Sequence, residues 1–140
     1  MKLKEIREEN ELTQKRMADI LNVSRSAYSL WEINKNIIPL TKLNEISNIF
    51  NISIDYIVGL TNEKKSNVNK ITLDKKAIGK RLKQTRKELK LTQVKLAKIF
   101  NTTHSAISAY ENGITLIPTL FLIEFAKISK KEIDWLCCKK

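Results

Sequence analysis

Glycine and proline are scarce in this chain, at 3 and 2 of 140 residues. A protein built from many short strands needs far more turn-forming residues, and the abundant Leu, Ile, Lys and Glu suit helices, so an all-α fold is expected. Cysteine occurs twice, at the adjacent positions Cys137 and Cys138. That pair gives neither a disulfide framework nor metal-ligand spacing, and it reads as reduced, cytosolic thiols. The single histidine, His104, is neither a metal site nor half of a catalytic triad. No apolar run approaches the ~18 to 20 residues that span a bilayer. The opening Met1, Lys2, Leu3, Lys4, Glu5 has no signal-peptide core. A cytoplasmic protein with no membrane partner is expected. A Gly-rich phosphate loop, a metal-ligand cluster and a nucleophile with its base are all missing, so neither an enzyme nor a cofactor is expected.

What the chain has in excess is positive charge: 26 Lys and Arg against 15 Asp and Glu, a formal net charge of +11. Such an excess points to a polyanion, nucleic acid or an anionic membrane surface, with a merely soluble basic protein as the plain alternative. At 42% hydrophobic and 29% charged residues, the chain can bury a core. Its length fits one ordinary domain or two very small ones.

The choice between those two is made by an internal repeat. A shift of 79 positions lays residues 1–61 on residues 80–140 without a gap. Leu3, Arg7, Leu12, Thr13, Gln14 and Ala18 meet Leu82, Arg86, Leu91, Thr92, Gln93 and Ala97, and the match runs on through Glu32, Pro39, Leu43 and Asp55 onto Glu111, Pro118, Leu122 and Asp134. A period this long is that of two small domains rather than a solenoid. The expected organisation is a first domain over 1–61, a polar linker over 62–76 and a second domain over 77–140.

Each module reads as five short helices. Leu3 and Ile6 mark the first; Thr13 caps a second, which carries Met17, Ala18 and Leu21. Ser24 caps a third with Ala27, Leu30 and Trp31 on its inner face, and Asn34 stands where the chain turns. Pro39 opens a fourth with Leu43, Ile46, Ile49 and Phe50 inward, and Ile54, Ile57 and Val58 form the fifth. The second module repeats the plan, with Gly113 at the turn after its third helix.

Helices over about 14–21 and 25–33, and again over about 93–100 and 104–112, each separated by a turn of roughly three residues, have helix-turn-helix spacing. Both modules resemble the DNA-binding domain of phage repressors and Cro-type regulators, the xenobiotic-response-element family. The resemblance is carried by Leu12-Thr13-Gln14, Met17-Ala18, Trp31-Glu32 and Asp55-Tyr56. In the second copy it is carried by Leu91-Thr92-Gln93, Leu96-Ala97, Tyr110-Glu111-Asn112-Gly113 and Asp134-Trp135-Leu136. It covers all but the linker. It implies a structural ion pair of Arg7 with Glu32 and of Arg86 with Glu111. It also implies base contacts from Arg25, Ser26 and Ser29 and from His104, Ser105 and Ser108. Arg25 is the strongest base reader of these, because a guanidinium can donate two parallel hydrogen bonds to guanine. Gln14 and Gln93 match a position that bonds the DNA backbone in this family, and Lys15, Arg16, Lys35, Lys95 and Asn112 flank the same face as phosphate contacts.

The copies differ in charge and apolarity. Residues 1–61 hold 8 basic and 8 acidic residues, residues 62–79 hold 5 and 2, and residues 80–140 hold 13 and 5, net charges of 0, +3 and +8. Module two is thus expected to bind phosphate broadly while Arg25 in module one chooses sequence. Leu120, Phe121 and Ile123 stand where module one has Thr41, Lys42 and Asn44. Together with Leu116 they are expected to form a dimer or interdomain surface, with a homodimer favoured. The resemblance implies a sequence-specific double-stranded DNA-binding transcriptional regulator, a repressor of bacterial or mobile-element genes. The alternative is a protein-binding module on the same fold, like anti-CRISPR or antitoxin proteins, with a protein partner and autoregulatory or non-specific DNA binding.

Overall fold

Short polar side chains start most of the helices, and left-handed residues end most of them. The computed structural model describes residues 1–64 and 67–140, and these form ten α-helices and no strand. The chain divides into two units, residues 1–70 and 71–140. Within the stretch expected as a linker, Lys65 and Ser66 lie outside the described residues.

The first unit contains α1 (Leu3–Glu9), α2 (Gln14–Ile20), α3 (Arg25–Glu32), α4 (Leu40–Phe50) and α5 (Ile54–Val58). Thr13 and Ser24 sit in extended backbone conformation, and their hydroxyls accept the amide N–H of Arg16 and of Ala27, each at 3.1 Å. Such caps each contribute ~1 kcal/mol by satisfying amides that the first turn leaves unpaired. Ser53 caps α5 in the same way through the Tyr56 amide at 3.0 Å. The second unit contains α6 (Lys75–Glu88), α7 (Gln93–Ile99), α8 (His104–Glu111), α9 (Thr119–Ser129) and α10 (Ile133–Leu136). Thr92 and Thr103 cap α7 and α8 at the matched positions, again at 3.1 Å.

The backbone itself is duplicated. Positive φ occurs at Glu11, Asn22, Asn34, Asn51 and Gly59, and again at Lys90, Asn101, Gly113, Lys130 and Cys138, each partner 79 residues on. Left-handed geometry at these points reverses the chain after each helix, which is why Asn and Gly recur there.

Each core is formed by the inward faces of its own five helices. In the first unit Leu3, Ile6, Met17, Leu21, Tyr28, Ile38, Leu43, Ile46, Ile54 and Ile57 are nearly inaccessible to solvent. In the second the corresponding set includes Leu82, Leu96, Phe100, Ile107, Ile117, Leu122, Phe125, Ile133 and Leu136. Burying one such side chain fully is worth ~1.5 to 3 kcal/mol.

Three details depart from the sequence reading. Ile49 is not inward: it is 48% exposed, while Asn44 and Ser47 on α4 are buried and the Ser47 hydroxyl donates to the Ile52 carbonyl at 2.6 Å. At 100° per residue, position 49 lies off the stripe that runs through 40, 43 and 47. The fully buried residue of α3 is Tyr28, with Ala27 and Leu30 only half-buried. Finally, α6 begins at Lys75, inside the 62–76 stretch, because Asp74 Oδ1 accepts from the Lys76 and Ala77 amides and Ile78 adds an apolar anchor. At 14 residues α6 is twice as long as α1, with 7. Its added turns pack on α8 at Gly79, where a Cβ would stand 2.5 Å from the Glu111 carbonyl oxygen; only a glycine allows that approach.

Candidate nucleic-acid interface

In each unit a short turn separates two helices whose second member is clamped from behind. The Arg7 guanidinium spans the end of α1 and the end of α3: Nε donates to Glu32 Oε1 at 2.6 Å, Nη2 to Oε2 at 3.4 Å, and Nη1 to the Leu12 carbonyl at 2.9 Å. Gln14 Nε2 donates to Glu32 Oε2 at 2.8 Å, and the Tyr28 hydroxyl donates to Oε1 at 2.8 Å. The carboxylate therefore ties α1, α2 and α3 together. Burial pushes the Glu32 carboxyl up, but the hydrogen bonds from Arg7, Gln14 and Tyr28 with the Arg7 charge outweigh it and hold it below the ordinary range. Burial, then the bond to Glu32, push the Tyr28 phenol well above its ordinary value.

The second unit repeats the clamp. Arg86 donates through Nε to Glu111 Oε2 at 2.5 Å, through Nη2 to Oε1 at 3.0 Å and through Nη1 to the Leu91 carbonyl at 2.7 Å, and Gln93 Nε2 donates to Glu111 Oε1 at 3.0 Å. Its counterpart of Tyr28 is Ile107, which is shorter and carries no hydroxyl. A small apolar cavity of about 10 Å³ opens there, bordered by Ile107, Glu111, Tyr110 and Phe125, at the lower limit for one water.

Clamping the C-terminal ends of α3 and α8 leaves their N-terminal ends facing solvent. Arg25 and Ser26 are exposed at the start of α3 and Ser29 is half-buried; His104 and Ser105 are exposed at the start of α8 and Ser108 is half-buried. Asn112 Nδ2 donates to the Ser108 hydroxyl at 3.2 Å, so two of the expected contact residues bond each other. Lys15, Arg16, Lys35 and Lys95 are exposed on the flanks. Lys15 stands 3.6 Å from Asp19, an exposed pair worth a few tenths of a kcal/mol. Gln14 and Gln93 are half-buried, each with one amide hydrogen committed to its clamp.

The flanks differ between the units. Where the first has Lys15 and Lys35, the second has Val94, 50% exposed, and Ile114, 69% exposed. Of the expected apolar surface, Leu120 is 51% exposed and Leu116 and Ile123 are half-buried. Phe121 is largely used inside the unit: it stacks on Phe100 with centroids 5.2 Å apart and planes at 12°. The role of Tyr28 in the clamp was missed by the sequence reading, although its i, i+4 spacing to Glu32 was a usable signal.

A known family fits this arrangement in both halves. A helix-turn-helix family matches residues 3–57 and again residues 82–136. Three relatives come from Bacillus subtilis strain 168. The uncharacterized HTH-type transcriptional regulator YqaE is 41% identical over 63 residues, 44% of this chain and 54% of the relative. The uncharacterized HTH-type transcriptional regulator YobD is 31% identical over 62 residues, 44% of this chain and 55% of the relative. The SPbeta prophage-derived uncharacterized HTH-type transcriptional regulator YonR is 37% identical over 57 residues, 41% of this chain and 53% of the relative. The chain thus spans about half the length of the curated relatives it matches. No solved structure matches.

Proposed function

Since the chain belongs to the helix-turn-helix family in both of its halves, we propose that it is a sequence-specific double-stranded DNA-binding transcriptional regulator, acting as a repressor of bacterial or prophage genes. The observation that carries this reading is the solvent-facing start of α3, Arg25 and Ser26, on a helix held rigid from behind by the Arg7–Glu32–Gln14 clamp. Inserted in a major groove, Arg25 meets a guanine edge with two donors and Ser26 and Ser29 lie beside it; His104, Ser105 and Ser108 take the matched role in the second unit. Gln14, Lys15, Arg16 and Lys35, with Gln93, Lys95 and Asn112, are the phosphate contacts, supported by the helix N-termini they adjoin. Two reading heads per chain suit half-sites about one helical turn apart. Leu116, Leu120 and Ile123 support a homodimer, with Phe121 at its base.

One observation favours a second reading. Val94 and Ile114 make the rim of the second unit's helix pair apolar, as a protein-binding face requires. Selection of bound duplexes from a random pool separates the two. A recovered motif whose strongest position is weakened by Arg25→Ala supports the regulator. Salt-sensitive binding with no recovered motif overturns it in favour of a protein partner. The mass in solution tests the dimer.

A further inference from the structure

The first helix of the second unit carries a row of lysines that the first unit lacks. Lys76, Lys80, Lys83 and Lys87 follow one another at intervals of 4, 3 and 4 residues within α6. At 3.6 residues per turn this spacing places them within roughly 60° of arc, along about 17 Å of helix. All four are exposed. Among the described residues none of their ammonium groups has an acid within ion-pair distance. On α1 the positions matching Lys83 and Lys87 hold Lys4 and Glu8, which pair at 3.9 Å. The matched helix thus folds with an acid there, so the lysine row is not required by the fold.

The row also lies where the second unit has lost charge elsewhere. The added turns of α6 are seated on the end of α8 at Gly79, and the Lys76 backbone and Cγ lie against Gly113, the residue before Ile114. The loop that has Ile114 in place of Lys35 is therefore flanked by the head of the lysine row.

We propose that the outer face of α6 is a second phosphate-binding surface, which follows one DNA backbone beside α8 and replaces the phosphate contacts missing at Val94 and Ile114. The inference rests on the DNA-binding reading and deepens it. Four unpaired cations over about 17 Å face the phosphates of about five base pairs, since each strand carries one charge per ~3.4 Å of axis. A face of this kind reads no bases and makes affinity steeply salt-dependent.

The test compares two triple variants of the full chain on a short mixed-sequence duplex over a range of salt concentrations. K80Q/K83Q/K87Q removes the middle of the row; K98Q/K127Q/K130Q removes equal charge from exposed positions elsewhere in the unit. Each lost phosphate contact lowers the slope of log affinity against log salt by ~0.9, so the first variant is expected to lose roughly 2 to 3 units of slope and the second close to none. A further variant, K87E, gives α6 the acid that α1 already folds with at Glu8 and is expected to lose that one contact, roughly 1 unit of slope, with unchanged helical content. Equal slopes in both triple variants overturn the surface, since net charge alone then sets binding. Loss of slope from the row with no motif in the pool selection upholds the surface and overturns only sequence-specific regulation. An unaltered protein that binds no duplex overturns both.

Discussion

Lys42 and Phe121 occupy the same position in the two units and solve the same problem by opposite chemistry. Lys42 Nζ donates to the Leu21 carbonyl at the end of α2, at 2.8 Å, and pairs with Glu45 at 3.1 Å. Phe121 instead stacks on Phe100, which replaces Leu21, while Phe125, which replaces Ile46, meets that ring edge-on at 6.3 Å. One unit joins α2 to α4 by a charged cap and the other joins α7 to α9 by an aromatic cluster. The backbone turns, the threonine caps and the Arg–Glu–Gln clamp are the same in both. So are the cations seated on the last helix's aromatic ring, Lys2 over Tyr56 and Arg81 over Trp135. The comparison separates what the fold needs, which is repeated, from what each surface does, which has diverged.

The sharpest way to break the likeness is to remove the clamp from one unit at a time. Glu111→Ala leaves the Arg86 guanidinium buried without its partner and is expected to cost ~3 to 5 kcal/mol. Loss of amide exchange protection confined to residues 71–140 is the readout, and protection retained there shows that the pair is dispensable. Gly79→Ala comes next. Its Cβ would meet backbone carbonyl oxygens of Tyr110 and Glu111, so α6 must move, at ~1 to 3 kcal/mol. Urea unfolding followed by near-ultraviolet signals of the second unit measures it, with no change in the first unit, whose α1 lacks these turns.

A smaller change should stabilise. The buried Thr85 hydroxyl has no hydrogen-bond partner among the described residues, and the matched residue is Ile6. Thr85→Val keeps the shape and removes the unmet polar group, an expected gain of ~1 kcal/mol in the same urea experiment; a loss would mean the hydroxyl does have a partner. The smallest effect needs no mutation. The Glu32 carboxyl is held below its unfolded range, so its contribution is present above that range and disappears as pH falls through the folded value. Because opposing burial leaves only part of the hydrogen-bond effect, the first unit should lose stability gradually on acidification, and Glu32→Gln should flatten that profile.

The sequence made the helices, the threonine caps and the turns at Asn34 and Gly113 legible because each depends on local chemistry: a hydroxyl before a helix, or a residue tolerant of positive φ after one. The clamp partners were legible through the repeat, since Arg7 and Glu32 keep their separation in Arg86 and Glu111. Phe121 was not, because an apolar residue at a matched polar position fits a core as well as an interface, and only the ring at position 100 decides. Ile49 was misjudged for the opposite reason. An apolar residue one step off the stripe counts as periodic until Asn44 and Ser47 are seen to fill the space. The candidate readers Arg25, Ser26, His104 and Ser105 were legible as the solvent side of a capped helix, whereas the lysine row on α6 became readable once the helix was known to begin at Lys75.

Gln14 is held by Glu32 before any ligand arrives. A glutamine side chain ordinarily gives up ~1.5 to 2 kcal/mol of rotamer freedom when it is immobilised. Here that freedom is surrendered during folding, and the amide's second hydrogen is left at a fixed point near the start of α2. A ligand placed there would meet a donor already ordered, because Glu32, Arg7 and the Leu12 carbonyl tie that amide to α1 and α3.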